Sequence, residues 1–301
     1  MNSSPKFASI YCDVNNPGQV LACCGLLELS HRLCPASEGW FSNSRFNLSY
    51  SESNEVPDIM DLINKLSRCK VDGLTPKEQE EREHLEEDSR DKKKFGIGLD
   101  DAREERRKAL GEKARAGPLY LGEPFNFGLD WWVPEDAILK TWAGRQELQR
   151  IVKAMQAAIL EIKNVEGAFD FGSPLREPSS ASQSRNSKTR MKKVEPFYFD
   201  ARRFTHRLDM GFSLDVLEAE SIAYPLVELL SLIGLQRFRP MGLTSDEFEY
   251  SLWDHPLGVA SASSVFCRAF FFPGSILYRF RLRYRDDRKR YKGFSFSELI
   301  T

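Results

Sequence analysis

The sequence predicts an α+β fold, a largely antiparallel sheet packed with helices and carrying a charged, exposed insertion. Three observations predict it. The C-terminal third alternates apolar and polar residues with the period of two of half-buried strands, most clearly over Ser275–Tyr284. Gln19–Leu33 and Ala219–Gly234 have the length and apolar content of buried helices. Between them, residues 72–117 are dominated by Glu, Lys, Arg and Asp, with little to bury beyond Leu85, Phe95, Ile97, Leu99 and Leu110.

Element by element, Phe7–Val14 reads as a buried strand, and Asn15-Asn16-Pro17-Gly18 as the turn that starts a helix over Gln19–Leu33. Trp40–Ser51 is expected as a second strand, because Phe41, Arg45, Leu48 and Tyr50 alternate imperfectly. Pro57–Cys69 has helical spacing through Ile59, Leu62, Ile63 and Leu66. The insertion 72–117 is expected as a solvated helical segment or a mobile loop, since its charges are of mixed sign. Pro118–Val133 returns to strand character, and Thr141–Ile162 is expected as a long amphipathic helix. Gly172–Lys193 is serine-rich, then basic, and has nothing to pack. Pro196–Arg203 alternates Phe197 and Phe199 with Tyr198 and Asp200 and reads as a strand. A helix over Ala219–Gly234 follows, with Gly234 as its C-terminal cap. Strands over Asp246–Trp253, Ser264–Phe272, Ser275–Tyr284 and Tyr291–Ser297 complete the sheet. This organises the chain as an N-terminal α+β part (1–175) with the insertion, a basic low-complexity linker (176–194) and a C-terminal α+β part (195–301).

Net charge is −1, but its distribution is uneven. Residues 1–184 hold 24 Lys+Arg against 30 Asp+Glu, and residues 185–301 hold 19 against 14, so the parts carry −6 and +5. That polarity suits a subunit with one face on nucleic acid and another on protein or solvent. Six cysteines, several inside apolar segments, point to a reduced cytoplasm. No apolar run approaches membrane-spanning length, so a soluble protein is expected.

The strongest functional signal is Ser275–Lys292. One face of the strand carries Arg279, Arg281, Arg283 and Arg285, and the other Tyr278, Phe280, Leu282 and Tyr284. Like charges in a row cost stability unless a polyanion or carboxylates neutralise them. Arginine's planar donor fork suits phosphate, so nucleic-acid contact is one reading. A solvated outer sheet face paired with acidic neighbours is the other. Arg288, Lys289, Arg290 and Lys292 extend the basic field, and Lys192, Lys193, Arg202 and Arg203 add to it upstream. Arg237 and Arg239 are candidates for base or phosphate contact, or for capping the preceding helix.

Catalytic patterns are weaker. Cys23-Cys24 with His31 and Cys34 lacks a Cys-x-x-Cys pair, and a buried helix explains the thiols. Asp100-Asp101 and Asp286-Asp287 read as exposed turns, Glu161-Ile162-Lys163 is too short a match to a nuclease pattern, and Gly96-Ile97-Gly98 is no phosphate loop. Metal-free RNA cleavage would need a histidine base, His206 beside Arg202, Arg203 and Arg207, or else His255. No cofactor is expected.

Longer motifs point further. Asn16-Pro17-Gly18 leads into Ala22-Cys23-Cys24-Gly25-Leu26-Leu27-Glu28-Leu29 and then Glu38-Gly39-Trp40-Phe41. Later come Tyr224-Pro225-Leu226, Ile233-Gly234-Leu235-Gln236-Arg237-Phe238-Arg239-Pro240 and Tyr291-Lys292-Gly293-Phe294-Ser295-Phe296. Over roughly residues 7–50 and 222–297 these blocks resemble the CRISPR-associated b-three subunit family of the type I-U (now I-G) effector complex, a diverged large-subunit-like protein. The resemblance implies a non-catalytic, RNA- and DNA-binding subunit of a Cascade-like surveillance complex in antiviral defence. Its implied partners are CRISPR RNA, target DNA, the backbone and other effector subunits, and the helicase-nuclease. Base pairing supplies most sequence specificity in such complexes. The other classes that remain are a CRISPR RNA-processing endoribonuclease using His206 and a protein-only assembly scaffold.

Overall fold

The computed structural model describes residues 7–51, 55–134, 137–142, 146–177, 193–203, 222–284 and 292–300. It has the expected α+β architecture, with every strand pairing antiparallel. The chain opens with β1 (Ala8–Tyr11), α1 (Pro17–Leu33), β2 (Ser37–Ser42), β3 (Arg45–Tyr50) and α2 (Ile59–Arg68). The Asn16 side chain caps α1 by accepting from the Gly18 amide at 3.1 Å, with Pro17 in the first turn, where its missing N–H costs nothing. The expected strand over Trp40–Ser51 is a hairpin instead. Asn43 and Ser44, at φ 49° and 57°, make the turn, which explains why the alternation was imperfect.

The insertion begins after β4 (Val71–Asp72) and forms two long helices, α3 (Pro76–Lys94) and α4 (Asp101–Ala116). Thr75 and Glu78 form a capping box at the start of α3. The hairpin buries only a small cluster of its own, Leu74, Leu85, Leu110 and Ala114. Cross-helix pairs such as Arg106–Glu81 and Lys113–Glu78 line its surface. Next come β5 (Leu119–Leu121), β6 (Phe127–Leu129) and α5 (Leu148–Ile159), the last shorter than expected.

Three further expectations are corrected. Pro196–Arg203 is not a strand: Tyr198 sits at φ 65°, and Ala201–Arg203 is a single 3-10 turn. The alternating aromatics there reflect an irregular segment threaded through the core, with Phe197 and Phe199 both fully buried. Ser264–Phe272 is not a strand either. Val259–Phe266 is a helix, α7, burying Val259, Ala262, Val265 and Phe266 at spacings of three and four. Gly234 does not cap its helix but ends inside it, in α6 (Pro225–Gly234). Its lack of a side chain serves a close approach, since a Cβ would lie 2.3 Å from the Leu21 carbonyl oxygen. Residues 219–221 and 178–192 lie outside the described residues, as do the helix start and most of the linker predicted there.

α1 and α6 form the central packed pair. Gly25 meets the Leu230 carbonyl and Gly234 the Leu21 carbonyl, so the backbones touch where neither helix has a Cβ. One continuous apolar core runs from Ile10 to Phe294 and includes residues from both the N-terminal and C-terminal parts. The sheet that carries the arginine strand contributes Phe248, Tyr250, Phe280 and Phe294 to it and consists of β7 (Met241–Gly242), β8 (Glu247–Leu252), β10 (Ile276–Tyr284), β11 (Lys292–Phe294) and β12 (Glu298–Ile300). β9 (Leu257–Gly258) pairs instead with β2, tying the N-terminal and C-terminal parts together.

Candidate nucleic-acid interface

β10 sets the geometry of the site. Its inner face buries Tyr278, Phe280 and Leu282, so period two sends Arg279, Arg281 and Arg283 outward. Register then decides what each meets. Arg279 stands opposite Glu249 of β8 and Glu298 of β12, Arg281 opposite Glu247, and Arg283 opposite Gly293. Ala201, Ser295, Phe296 and Glu298 complete a groove of about 430 Å³ around the three arginines.

Arg279 and Arg281 hold carboxylates of their own protein. Arg279 donates from Nε and Nη2 to Glu249 Oε1 at 3.0 and 2.7 Å, and Arg268 holds the other oxygen of Glu249. The bond to Glu249 raises the pKa of the Arg279 guanidinium. Arg281 pairs with Glu247, and its backbone N–H donates to Ser295 Oγ at 3.0 Å. The sheet face is therefore paired with acidic neighbours at Arg279 and Arg281, and the three arginines line one groove. Glu298 differs from Glu247 and Glu249. It is exposed and makes no hydrogen bond or ion pair among the described residues.

Among the described residues, the other basic candidates do not line this groove. Lys292 stands opposite Tyr284, one register step from the arginine side, with its ammonium 5.8 Å from the Tyr284 ring centroid. Arg237 is drawn to the fully buried Glu28 of α1 at 2.6 Å, where Arg32 also binds at 2.8 Å, and not to the end of the preceding helix. Arg239 is exposed and has no side-chain hydrogen bond or ion pair among the described residues. Arg202 is held by Asp200 and Asp170 and stacks 3.5 Å from the Tyr224 ring centroid. Arg203 lies 5.4 Å from the Tyr198 ring centroid, and Lys193 pairs with Glu195 at 3.0 Å. Lys192, Arg285, Arg288, Lys289 and Arg290 lie outside the described residues, as does the catalytic candidate His206. His255 is exposed, paired with Asp254 at 2.6 Å, and packs its ring edge-on to Phe272.

A buried polar network borders the groove. Asn16 Nδ2 donates to Asp200 at 2.9 Å, and the Ala201 amide donates back to Asn16 Oδ1 at 3.1 Å. Glu228 of α6 accepts from the Phe199 and Asp200 amides at 3.1 and 3.2 Å. Burial, and then the neighbouring Asp200 charge, push the Glu228 carboxyl up from 4.5 to about 7. The network fixes the 199–201 turn, and Ala201 forms one wall of the groove.

Cys23 and Cys24 are buried in α1, and burial pushes both thiols up, away from the reactive thiolate. Among the described residues, no three His, Cys, Asp or Glu side chains are grouped to hold a metal ion, and no helix is long and apolar enough to cross a membrane. Sequence reasoning missed the counter-ions Glu247, Glu249 and Arg268 and the groove residues Phe296 and Glu298. The Glu247/Glu249 spacing of two on the neighbouring strand was the available signal. Chemically the groove offers guanidinium donors, one aromatic face and one carboxylate acceptor. No family model, curated protein or solved structure matches the chain.

Proposed function

We propose that this protein is a nucleic-acid-binding, non-catalytic subunit of a CRISPR RNA-guided surveillance complex, gripping phosphate through the groove beside β10. The observation that carries the reading is the row of three guanidiniums along one groove wall, held in place by a rigid sheet. Arg281 and Arg283 are the phosphate ligands, and Arg279 is chiefly the partner of Glu249. Membership of the complex rests on the sequence blocks that resemble the b-three subunit family. The two ends of the resemblance meet in space, because Gly25 abuts Leu230 and Glu28 binds Arg237. CRISPR RNA, target DNA and the other effector subunits are the proposed partners.

The test is binding of the full chain to RNA, single-stranded DNA and duplex DNA across a salt series, for wild type and an Arg281→Ser/Arg283→Ser variant. Two lost phosphate contacts should weaken binding and flatten the slope of log affinity against log salt by about 2. Arg279 stays, so the sheet keeps the Arg279–Glu249–Arg268 pairs and loses the exposed Arg281–Glu247 pair. Unchanged affinity in a variant that melts like wild type would overturn the proposal and favour a protein-only scaffold, for which the neutralisation of Arg279 and Arg281 speaks.

A further inference from the structure

The groove contains a group that a plain phosphate-binding surface would not need. Glu249 is taken up by Arg279 and Arg268, and Glu247 by Arg281. Glu298 lines the same groove opposite Arg279, and its carboxylate has no hydrogen bond or ion pair among the described residues. Its charge acts on Arg279 from beyond hydrogen-bonding reach and leaves its oxygens open as acceptors; such a carboxylate repels phosphate and lowers affinity for a ligand that presents phosphate alone. It becomes favourable when the ligand places a hydroxyl donor beside each phosphate. The ribose 2′-hydroxyl is such a donor, and DNA lacks it.

Aromatic exposure supplies a second, independent observation. Phe296, 49% exposed, lies on the groove wall beside the arginines. Rings beside guanidiniums suit unpaired bases, because a splayed base exposes a π-face that a stacked duplex covers. The nine residues of β10 span roughly 30 Å, the reach of several extended nucleotides.

We infer that the groove takes unpaired RNA. Arg281 and Arg283 hold backbone phosphates, Phe296 stacks a base, and Glu298 accepts a hydrogen bond from a ribose 2′-hydroxyl. The inference rests on the nucleic-acid reading above and narrows it to one polymer in one state.

The test measures anisotropy of labelled adenine homopolymers made as RNA, 2′-O-methyl RNA and DNA, with an RNA duplex of equal length, on the full chain. RNA is expected to bind about tenfold tighter than DNA or 2′-O-methyl RNA, the effect of one charge-assisted hydrogen bond. Glu298→Ala should bring RNA and DNA to equal affinity, RNA falling and DNA rising as the repulsion goes. Phe296→Ala should weaken the single strands and leave the duplex unchanged, whereas Arg283→Ser should weaken all four. Equal affinity of wild type for RNA and DNA, tighter binding of the duplex, or a preference that survives Glu298→Ala would overturn the inference while leaving phosphate binding intact. Failure to bind any of the four would overturn both.

Discussion

Removing both arginines that hold Glu28 should destabilise the protein by more than the sum of the single removals. Glu28 sits on α1 with its side chain fully buried, and two guanidiniums reach it from the surface. Arg32 lies 2.8 Å from Oε1 and Arg237 2.6 Å from Oε2, at 30% and 37% side-chain exposure. Stripping a buried charge of its partner costs about 3–5 kcal/mol. With the second arginine in place and each guanidinium about a third exposed, Arg237→Ala should cost about 1–2 kcal/mol. Arg32→Ala should cost about 2 kcal/mol, because Arg32 also packs 4.2 Å from the Phe127 ring centroid. The double variant leaves a bare carboxylate in the core and should lose about 5 kcal/mol, exceeding additivity by about 1–2 kcal/mol. Adding Glu28→Leu should restore much of that loss, since the uncompensated charge goes with it. Urea unfolding followed by circular dichroism reads all four variants. A double variant whose loss merely equals the two singles would refute the claim that Glu28 is a desolvated anion requiring two cations.

Three other outcomes are expected. Glu228 has a folded pKa of about 7 against an ordinary 4.5, so the folded state binds its proton more tightly. Its contribution therefore opposes folding progressively as pH rises from about 4.5 to about 7, by about 3 kcal/mol in all, and is constant above that. Melting curves between these pH values should show wild type losing stability relative to Glu228→Gln, and parallel curves would contradict this. Gly25→Ala drives a Cβ to 2.1 Å from the Leu230 carbonyl oxygen and should cost about 3 kcal/mol or more in chemical denaturation, whereas exposed Gly98→Ala, with nothing nearby, should be tolerated. Replacing residues 86–109, the distal part of the α3–α4 hairpin, with a short turn keeps Leu74, Leu85, Leu110 and Ala114 and removes mainly exposed ion pairs. The melting temperature should stay within a few degrees of wild type. A collapse would mean that the hairpin tip packs on the body.

The sequence was most legible where one local rule decides. The α1 cap follows from Asn16-Pro17-Gly18, and the β10 face from strict alternation. It was least legible where tertiary contacts override the pattern. Phe197 and Phe199 alternate like strand residues, yet the chain there turns at Tyr198, because the amides of Phe199 and Asp200 bond to Glu228 from another element. Val259–Phe266 interleaves its buried Val259, Ala262, Val265 and Phe266 with small residues, and the face they bury packs on β8, β9 and β2. The arginines of the site were found by charge and period. Their roles were not, because whether Arg279 or Arg237 serves a ligand depends on Glu249 and Glu28, which are distant in sequence. Within the motifs behind the family resemblance, Gly25 and Gly234 serve the close approach of α1 and α6, and Glu28 binds Arg237 just beyond α6.

That contact has a consequence for synthesis. α1 leaves the ribosome well before α6, with fourteen successive positions, Pro17 to Ser30, that end up buried. The helix that covers it, α6, begins some two hundred residues later, and β2 likewise waits for β9 and for Trp253, whose Nε1 donates to the Gly39 carbonyl at 2.6 Å. At ordinary elongation rates of about 5–20 residues per second, an apolar helix stays uncovered for roughly 10–40 s. The nascent N-terminal half is in effect an unfinished interface awaiting its own C-terminus. Translation speed and chaperone supply thus bear on the yield of folded protein, through a gap in time that no property of the finished molecule reveals.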